Sequence, residues 1–186
     1  MTDNNSDTST AHNDNHNRFR IFRTSEAPSL EQCGQMAMVG MTPEIAGHAQ
    51  QLMQEGFADS YDTRLVFSSP SMSLTYAWFK SGYPLPRHSH DSDCLYYVMA
   101  GSIQFGNQTL GKGDGFLLPA GMPYAYVAGP DGVELLEFRG TDTFNFKWLT
   151  SGPAFWESAL KTVQAKRGEW VDEPPPLGAG QRSGEA

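Results

Sequence analysis

The chain has 186 residues and a formal net charge of −8, and 39% of its residues are hydrophobic and 12% aromatic. That length fits one domain with a sizeable core, and 19 glycines and 12 prolines beside so many aromatic residues favour an all-β fold. An acidic surface repels nucleic-acid phosphates, and no apolar run is long enough to predict a membrane span.

The first residues are polar and lack the apolar segment of a secretory signal, which predicts a cytoplasmic protein. Residues 1–17, including His12 and His16, have almost nothing to bury and are predicted to form a disordered tail. In a reducing compartment Cys33 and Cys94 are not expected to form a disulfide, and Cys33 has the surroundings of a packed or half-exposed thiol.

Residues 18–64 are predicted to contain an N-terminal strand and a helix. The segment 18–23 alternates polar and apolar residues, as an edge strand does. Thr42 is a suitable N-cap for a helix that starts at Pro43, and Gly56 is a suitable end. His48, within this helix, is expected to be a surface or packing residue.

Residues 65–140 have the pattern of a barrel, because short apolar runs recur about every ten residues with turn-forming residues between them. Gly106-Asn107 predicts a tight hairpin. On the last run Glu137 and Arg139 alternate with Leu136 and Phe138, so one of these pairs faces outward. The predicted strands are 65–67, 72–80, 94–99, 102–105, 115–118, 124–127 and 133–139.

Residues 141–170 are predicted to be a helical segment, with a helix from Pro153 to Lys166 that ends at Gly168. Its apolar stripe is expected to pack on the outside of the barrel. Residues 171–186 are rich in proline and glycine and are predicted to form a second disordered tail.

The segment between Gly82 and Gly101 has the residues for a metal site. His88 and His90 are two apart on a strand, so their imidazoles point to the same face, and Cys94 and Tyr96 have the same parity. Two neutral imidazoles and a thiolate are suitable ligands for zinc, copper or ferrous iron.

The spacing Gly82-x5-His88-x-His90-x3-Cys94-x6-Gly101 resembles the first motif of the cupin family, G-x5-H-x-H-x3,4-E-x6-G. Gly113, Pro119 and Gly121 match the first half of the second cupin motif. The resemblance covers about residues 65–140 and implies a cupin double-stranded β-helix barrel with flanking helices. It also implies a divalent transition metal, with iron expected first and zinc, manganese, nickel or copper as alternatives.

Two metal-ligand positions depart from the family pattern, and Ala128 stands where the second motif has asparagine. Cys94 stands where cupins have the glutamate ligand, and Tyr124 stands where they have the third histidine. Cys94 is interpreted as a thiolate ligand, a redox or crosslinked residue beside a tyrosine, or a small apolar residue of a site without metal. A carboxylate of Asp91 or Asp93 is an alternative third ligand.

Tyr124 is predicted to be catalytic, as a proton donor or a substrate hydrogen bond, because a phenol with a pKa near 10 seldom ligates a metal at neutral pH. The predicted metal ligands are His88, His90 and Cys94. The resemblance then implies a metal-binding cupin that acts on a small organic molecule, first as a dioxygenase-type oxidoreductase and next as a lyase or isomerase. The alternative is a small-molecule-binding or sensory cupin without turnover. A small molecule is the expected partner, and a homodimer is consistent with the resemblance.

Overall fold

The computed structural model describes residues 19–150 and 152–181. In these residues the helices are α1 (Leu30–Cys33), α2 (Pro43–Gln54) and α3 (Pro153–Trp170), with 3-10 turns at Thr24–Glu26 and Phe57–Ser60. The strands are β1 (Met36–Val39), β2 (Tyr61–Ser69), β3 (Met72–Phe79), β4 (His88–Ser89), β5 (Cys94–Phe105), β6 (Gln108–Gly111), β7 (Gly115–Leu118), β8 (Val127–Arg139) and β9 (Phe144–Trp148). None of the helices in this described part is long and apolar enough to cross a membrane.

The strands form two sheets. The larger sheet has the order β2-β3-β8-β5-β6, with β7 paired to β5, and the smaller sheet has the order β1-β9-β4. The largest apolar cluster lies against the larger sheet and includes Val98, Ile103, Val133 and Leu135, which are fully buried. The predicted all-β cupin fold with flanking helices is confirmed, and its large sheet starts at Tyr61, four residues before the predicted barrel boundary.

The side chains of β8 alternate between the two faces of the large sheet. Glu137 faces inward, where its cross-strand partners are Thr75 on β3 and Tyr96 on β5. Arg139 is the next inward residue and lies beside Cys94. Phe138 faces outward and is 43% exposed. The charged pair of the last predicted strand is therefore the pair that faces into the barrel.

Gly101 allows β5 and β8 to approach each other closely. It has a φ of +72°, which disfavours residues with a side chain, and a Cβ at this position would overlap the carbonyl group of Gly132. The two predicted strands 94–99 and 102–105 are one strand with an irregularity at this point. Gly106-Asn107 makes the predicted hairpin between β5 and β6.

The N-terminal part differs from the prediction. Residues 19–23 have no regular secondary structure, and Arg18 and the predicted tail 1–17 lie outside the described residues. The strand of this region is instead β1, which pairs in parallel with β9. Residues 144–148, predicted within a helical segment, form β9 because the pairing with β1 and β4 holds them extended.

The two predicted helices are present, and one is longer than predicted. The side chain of Thr42 caps α2 by accepting a hydrogen bond from the Ile45 N–H at 3.2 Å, as predicted. Helix α3 continues through Gly168 to Trp170. A glycine within a helix costs about 1 kcal/mol. The full burial of Trp170, whose indole N–H donates to the Ser81 carbonyl at 3.0 Å, offsets that cost.

The segment after α3 packs on the outside of the large sheet. The buried carboxylate of Glu134 accepts hydrogen bonds from the Tyr76 hydroxyl at 2.7 Å and from the backbone N–H groups of Leu177, Gly178 and Ala179. These hydrogen bonds attach residues 177–179 to the sheet, and the disordered tail over residues 171–186 stays a prediction. Residues 182–186 lie outside the described part.

Replacement of Glu134 by glutamine tests this attachment. In Glu134→Gln an amide N–H group replaces one acceptor oxygen and faces backbone donors, so we expect the free energy of unfolding to fall by about 2–4 kcal/mol. Urea denaturation measures the change. The control is Glu157→Gln on the exposed face of α3, for which we expect a change within about 0.5 kcal/mol. Equal effects of the two substitutions would contradict the attachment.

Candidate ligand-binding site

His88 lies on β4, where its backbone is paired on both sides, and His90 follows directly after this strand. The backbone of His88 pairs with Trp148 of β9. On its other side it exchanges two hydrogen bonds with Tyr124, of 3.1 and 2.9 Å. These two hydrogen bonds form an isolated bridge that fixes Tyr124 beside the histidines. Of the predicted strand 124–127 only Val127 lies in a strand, because β8 begins at that residue.

Both imidazoles have their Nδ1 atoms directed at backbone carbonyl groups. Nδ1 of His88 donates to the Pro86 carbonyl at 2.7 Å, and Nδ1 of His90 donates to the Asn145 carbonyl. Since a carbonyl accepts only, each Nδ1 carries the proton and each Nε2 is left as an acceptor. Burial and the neighbouring His90 lower the pKa of His88 to about 3, and burial also lowers the pKa of His90. Both rings are therefore neutral at physiological pH.

Two tyrosine hydroxyls extend from His90 in one hydrogen-bonded chain. The Tyr124 hydroxyl lies 3.1 Å from Nε2 of His90 and 2.6 Å from the Tyr96 hydroxyl. Because Nε2 of His90 can only accept, Tyr124 donates to it and Tyr96 donates to Tyr124. Burial raises the pKa of both phenols well above 10. Tyr124 is thus a fixed donor to His90, a contact that was not predicted from the sequence, and its predicted catalytic role stays a prediction.

Cys94 lies in the barrel wall and is 1% exposed. Burial raises the pKa of its thiol to about 12, so the free thiol is protonated at neutral pH. Its side chain does not line the cavity that His88 and His90 face. Of the three interpretations of Cys94, a small apolar residue of the barrel has the most support from these surroundings.

The carboxylates predicted as alternative ligands have structural partners. Oδ1 of Asp91 accepts from the Asn145 N–H and Oδ1 of Asp93 accepts from the Ala120 N–H, each at 2.8 Å. Within residues 19–150 and 152–181, no three His, Cys, Asp or Glu side chains come together as a group that could hold a metal ion. The structure brings His88 and His90 together but does not add Cys94 to them, so the donor set does not fit the predicted three-ligand centre.

The site also includes an ion pair inside the barrel, which was not predicted from the sequence. Arg139 donates to Glu137 at 2.7 Å, and the side chain of Arg139 is 1% exposed. The guanidinium also lies 3.8 Å from the centre of the Phe144 ring. The alternation of charged and apolar residues along β8 indicated that one pair faces inward, but it did not indicate which of the two pairs.

The histidines and the ion pair lie at one end of a cavity of about 280 Å³. Its remaining wall is mainly apolar. One side is an aromatic row on β9, in which Phe146 stacks on His88 with the ring centres 4.0 Å apart. The other members of this row are Phe144 and Trp148, and helix α2 covers the cavity with Ala49, Leu52 and Met53. An apolar pocket with a few converging polar groups is the usual form of a small-molecule site.

The model of the AraC-like ligand binding domain family matches residues 72–179. This match spans more than half of the chain, and the chain therefore belongs to that family, whose domain is of the cupin type predicted from the two motifs. The matched range begins at β3 and includes the histidines, Tyr124 and the ion pair. No curated protein matches the chain significantly.

Solved structures are similar to parts of the chain. KdgF from Halomonas sp. is 23% identical over 44% of this chain and 81% of its own, with a TM-score of 0.39. An RmlC-like cupin from Shewanella frigidimarina is 18% identical over 45% and 78%, with a TM-score of 0.41. The polyketide cyclase RemF from Streptomyces resistomycificus is 18% identical over 57% and 82%, with a TM-score of 0.47.

The lowered pKa of His88 predicts a stability that depends on pH. Between about pH 6.5 and pH 3 the unfolded chain binds a proton at His88 that the folded protein does not. The free energy of unfolding therefore falls as the pH falls through this range, by at most about 1.4 kcal/mol per pH unit from this residue.

Urea denaturation of wild type and His88→Phe at pH 7, 6, 5 and 4.5 measures the effect. Phenylalanine keeps a ring against Phe146 but cannot be protonated, so the slope with pH should be smaller in the variant. Parallel slopes would show that His88 does not contribute.

The donor set also predicts the metal content. Two imidazoles fall short of the three protein ligands of most catalytic centres, so protein purified without an affinity tag should hold less than about a tenth of an equivalent of any transition metal. Elemental analysis of wild type, His88→Ala and the control His48→Ala, outside the cavity, measures this. One equivalent that is lost only in His88→Ala would instead support the metal centre predicted from the sequence.

Proposed function

We propose that this chain is a ligand-binding cupin that holds one small organic molecule in the barrel cavity without converting it. The observation that carries the proposal is the cavity of about 280 Å³, apolar along α2 and β9 and polar at the histidines and the ion pair. Such a wall stabilises a mainly apolar molecule by burial, and its polar end fixes the orientation of that molecule. Membership of a ligand binding domain family is consistent with this function.

The protonation states at the polar end favour binding over acid–base catalysis. A general acid or base works best when its pKa is near the working pH. Burial instead moves the pKa of His88 down to about 3, and it raises the pKa of Tyr124 well above 10. These groups keep one protonation state near neutral pH, so they serve as fixed hydrogen-bond donors and acceptors.

The dioxygenase activity and the iron predicted from the family resemblance remain predictions. No step of such a reaction follows from the donor set, because no three His, Cys, Asp or Glu side chains in residues 19–150 and 152–181 come together as a metal-binding group. The metal analysis described above tests this alternative independently of ligand binding. A catalytic role of Tyr124 also remains a prediction, and in the proposed function this residue holds His90 in place.

A substitution that fills the cavity tests the proposed function. Ala49 lines the cavity from α2, whereas Ala46 is exposed on the same helix. Thermal denaturation with a panel of small aromatic and alicyclic compounds should identify ligands that raise the melting temperature. At a concentration of 100 Kd we expect a rise of about 5 °C or more.

The rise should persist in Ala46→Phe and disappear in Ala49→Phe, because only the second ring occupies the ligand volume. Equal shifts in both variants would place the ligand elsewhere. Absence of any stabilising compound, together with no small molecule in the mass spectrum of the purified protein, would count against the proposed function.

A further inference from the structure

Three N–H donors on the cavity-lining side chains have no acceptor. They are Nε of Arg139 and the indole Nε1 atoms of Trp148 and Trp156, all buried and without a hydrogen bond within residues 19–150 and 152–181. Leaving a buried donor unpaired costs about 1–3 kcal/mol. Two buried side-chain carbonyl oxygens also lack a hydrogen-bond partner, but they belong to Gln35 and Asn145, which do not line the cavity. The cavity wall therefore has an excess of donors over acceptors.

Arg139 is the strongest of these donors. Its guanidinium has five N–H groups, of which one donates to Glu137 at 2.7 Å and one to the Thr75 hydroxyl at a weak 3.4 Å. The Phe144 ring covers it at 3.8 Å, and 1% of the side chain is exposed. Bulk water cannot satisfy the remaining N–H groups at this depth, whereas an oxygen atom of a ligand in the cavity can.

The negative charge of Glu137, next to Arg139, decides whether a charged or an uncharged ligand oxygen is favoured. Glu137 already neutralises the guanidinium through a contact of 2.7 Å, so Arg139 offers no unpaired positive charge to a ligand. A ligand carboxylate bound to Arg139 would lie close to the Glu137 carboxylate in a region of low dielectric, where like charges repel strongly. An uncharged carbonyl oxygen accepts the same hydrogen bond without this repulsion.

His88 has an acceptor atom for which a donor is missing. Its Nε2 is an acceptor, and no residue in the described ranges donates to it, whereas Nε2 of His90 accepts from Tyr124. A hydroxyl or N–H group of a ligand would supply the missing donor. The polar end thus offers a donor at Arg139 and an acceptor at His88, above an apolar aromatic wall.

From these contacts we propose that the ligand is a neutral, mainly apolar molecule with an uncharged carbonyl group that accepts a hydrogen bond from Arg139. A hydroxyl or N–H group of the same molecule donates to Nε2 of His88. This inference rests on the proposed function, since it specifies the chemical class of the molecule that occupies the same cavity.

Three probes of nearly equal size separate the alternatives: 4-hydroxyacetophenone, 4-ethylphenol and 4-hydroxybenzoate. The first has a neutral carbonyl, the second lacks it, and the third replaces it with a carboxylate. In isothermal titration calorimetry at pH 7 we expect 4-hydroxyacetophenone to bind about tenfold more tightly than either of the others. Tighter binding of 4-hydroxybenzoate would overturn the neutral class.

Two substitutions assign the preference to the ion pair. Arg139→Lys keeps the charge beside Glu137 but removes Nε and the planar set of donors, so the preference for the ketone should fall below about threefold. The same change at the exposed Arg87, which does not line the cavity, should leave the preference unchanged. A preference that persists in Arg139→Lys would overturn the role of Arg139.

Glu137→Gln provides a second test that does not depend on the folding of the Arg139 variant. It leaves the charge of Arg139 without its partner, so 4-hydroxybenzoate should gain about tenfold in affinity relative to the ketone. No gain would overturn the charge argument.

The probes also distinguish failure of this inference from failure of the proposed function. If all three probes bind equally and Ala49→Phe abolishes that binding, the cavity remains a ligand site. Only the proposed preference for a ligand with a neutral carbonyl group is then overturned. If none of the three binds, the inference is overturned, and the compound panel then decides the proposed function separately.

Discussion

The pairing of β8 with β3 on one side and β5 on the other determines the inner surface of the barrel. A shift of this register by one residue would move every side chain of β8 to the opposite face. In the observed register Val133 and Leu135 fill the core, and Glu137 and Arg139 place an ion pair at one end of it. The same alternation directs Glu134 outward, under the C-terminal segment. The polar end of the cavity and the attachment of that segment therefore depend on one strand.

The ion pair, the two imidazoles and the tyrosine hydroxyls form a polar end whose charges are balanced internally. Burial of an ion pair is costly unless its geometry is good, and here a contact of 2.7 Å between Arg139 and Glu137 provides part of the compensation. The two departures from the cupin motif fit this arrangement. A phenol at position 124 donates to His90, and a thiol at position 94 takes a small apolar place beside Arg139. Both side chains are uncharged, and they occupy positions at which the cupin motifs have metal ligands.

Much of the fold could be predicted from the sequence, because its signals are local. The alternation of apolar residues, the turn residues between them and the N-cap at Thr42 act over a few residues. The pairing of His88 with His90 follows from strand geometry in the same way. The rest depends on partners distant in the chain. Strand β1 forms only because β9 lies beside it, and Leu177 to Ala179 are held by Glu134, more than forty positions away. For Glu137 and Arg139 the sequence left two orientations open, and only the register of the sheet distinguishes them.

The position of the tryptophans gives the protein a built-in optical signal. Of its four tryptophans, Trp148 and Trp156 line the cavity with their rings stacked 6.1 Å apart, whereas Trp78 and Trp170 lie outside its wall. Indole emission is sensitive to the polarity and hydrogen bonding around the ring. A molecule that enters the cavity therefore changes the surroundings of two fluorophores and leaves the other two as an internal reference. Occupancy of the barrel can be followed in the unlabelled protein, at concentrations well below those that calorimetry requires.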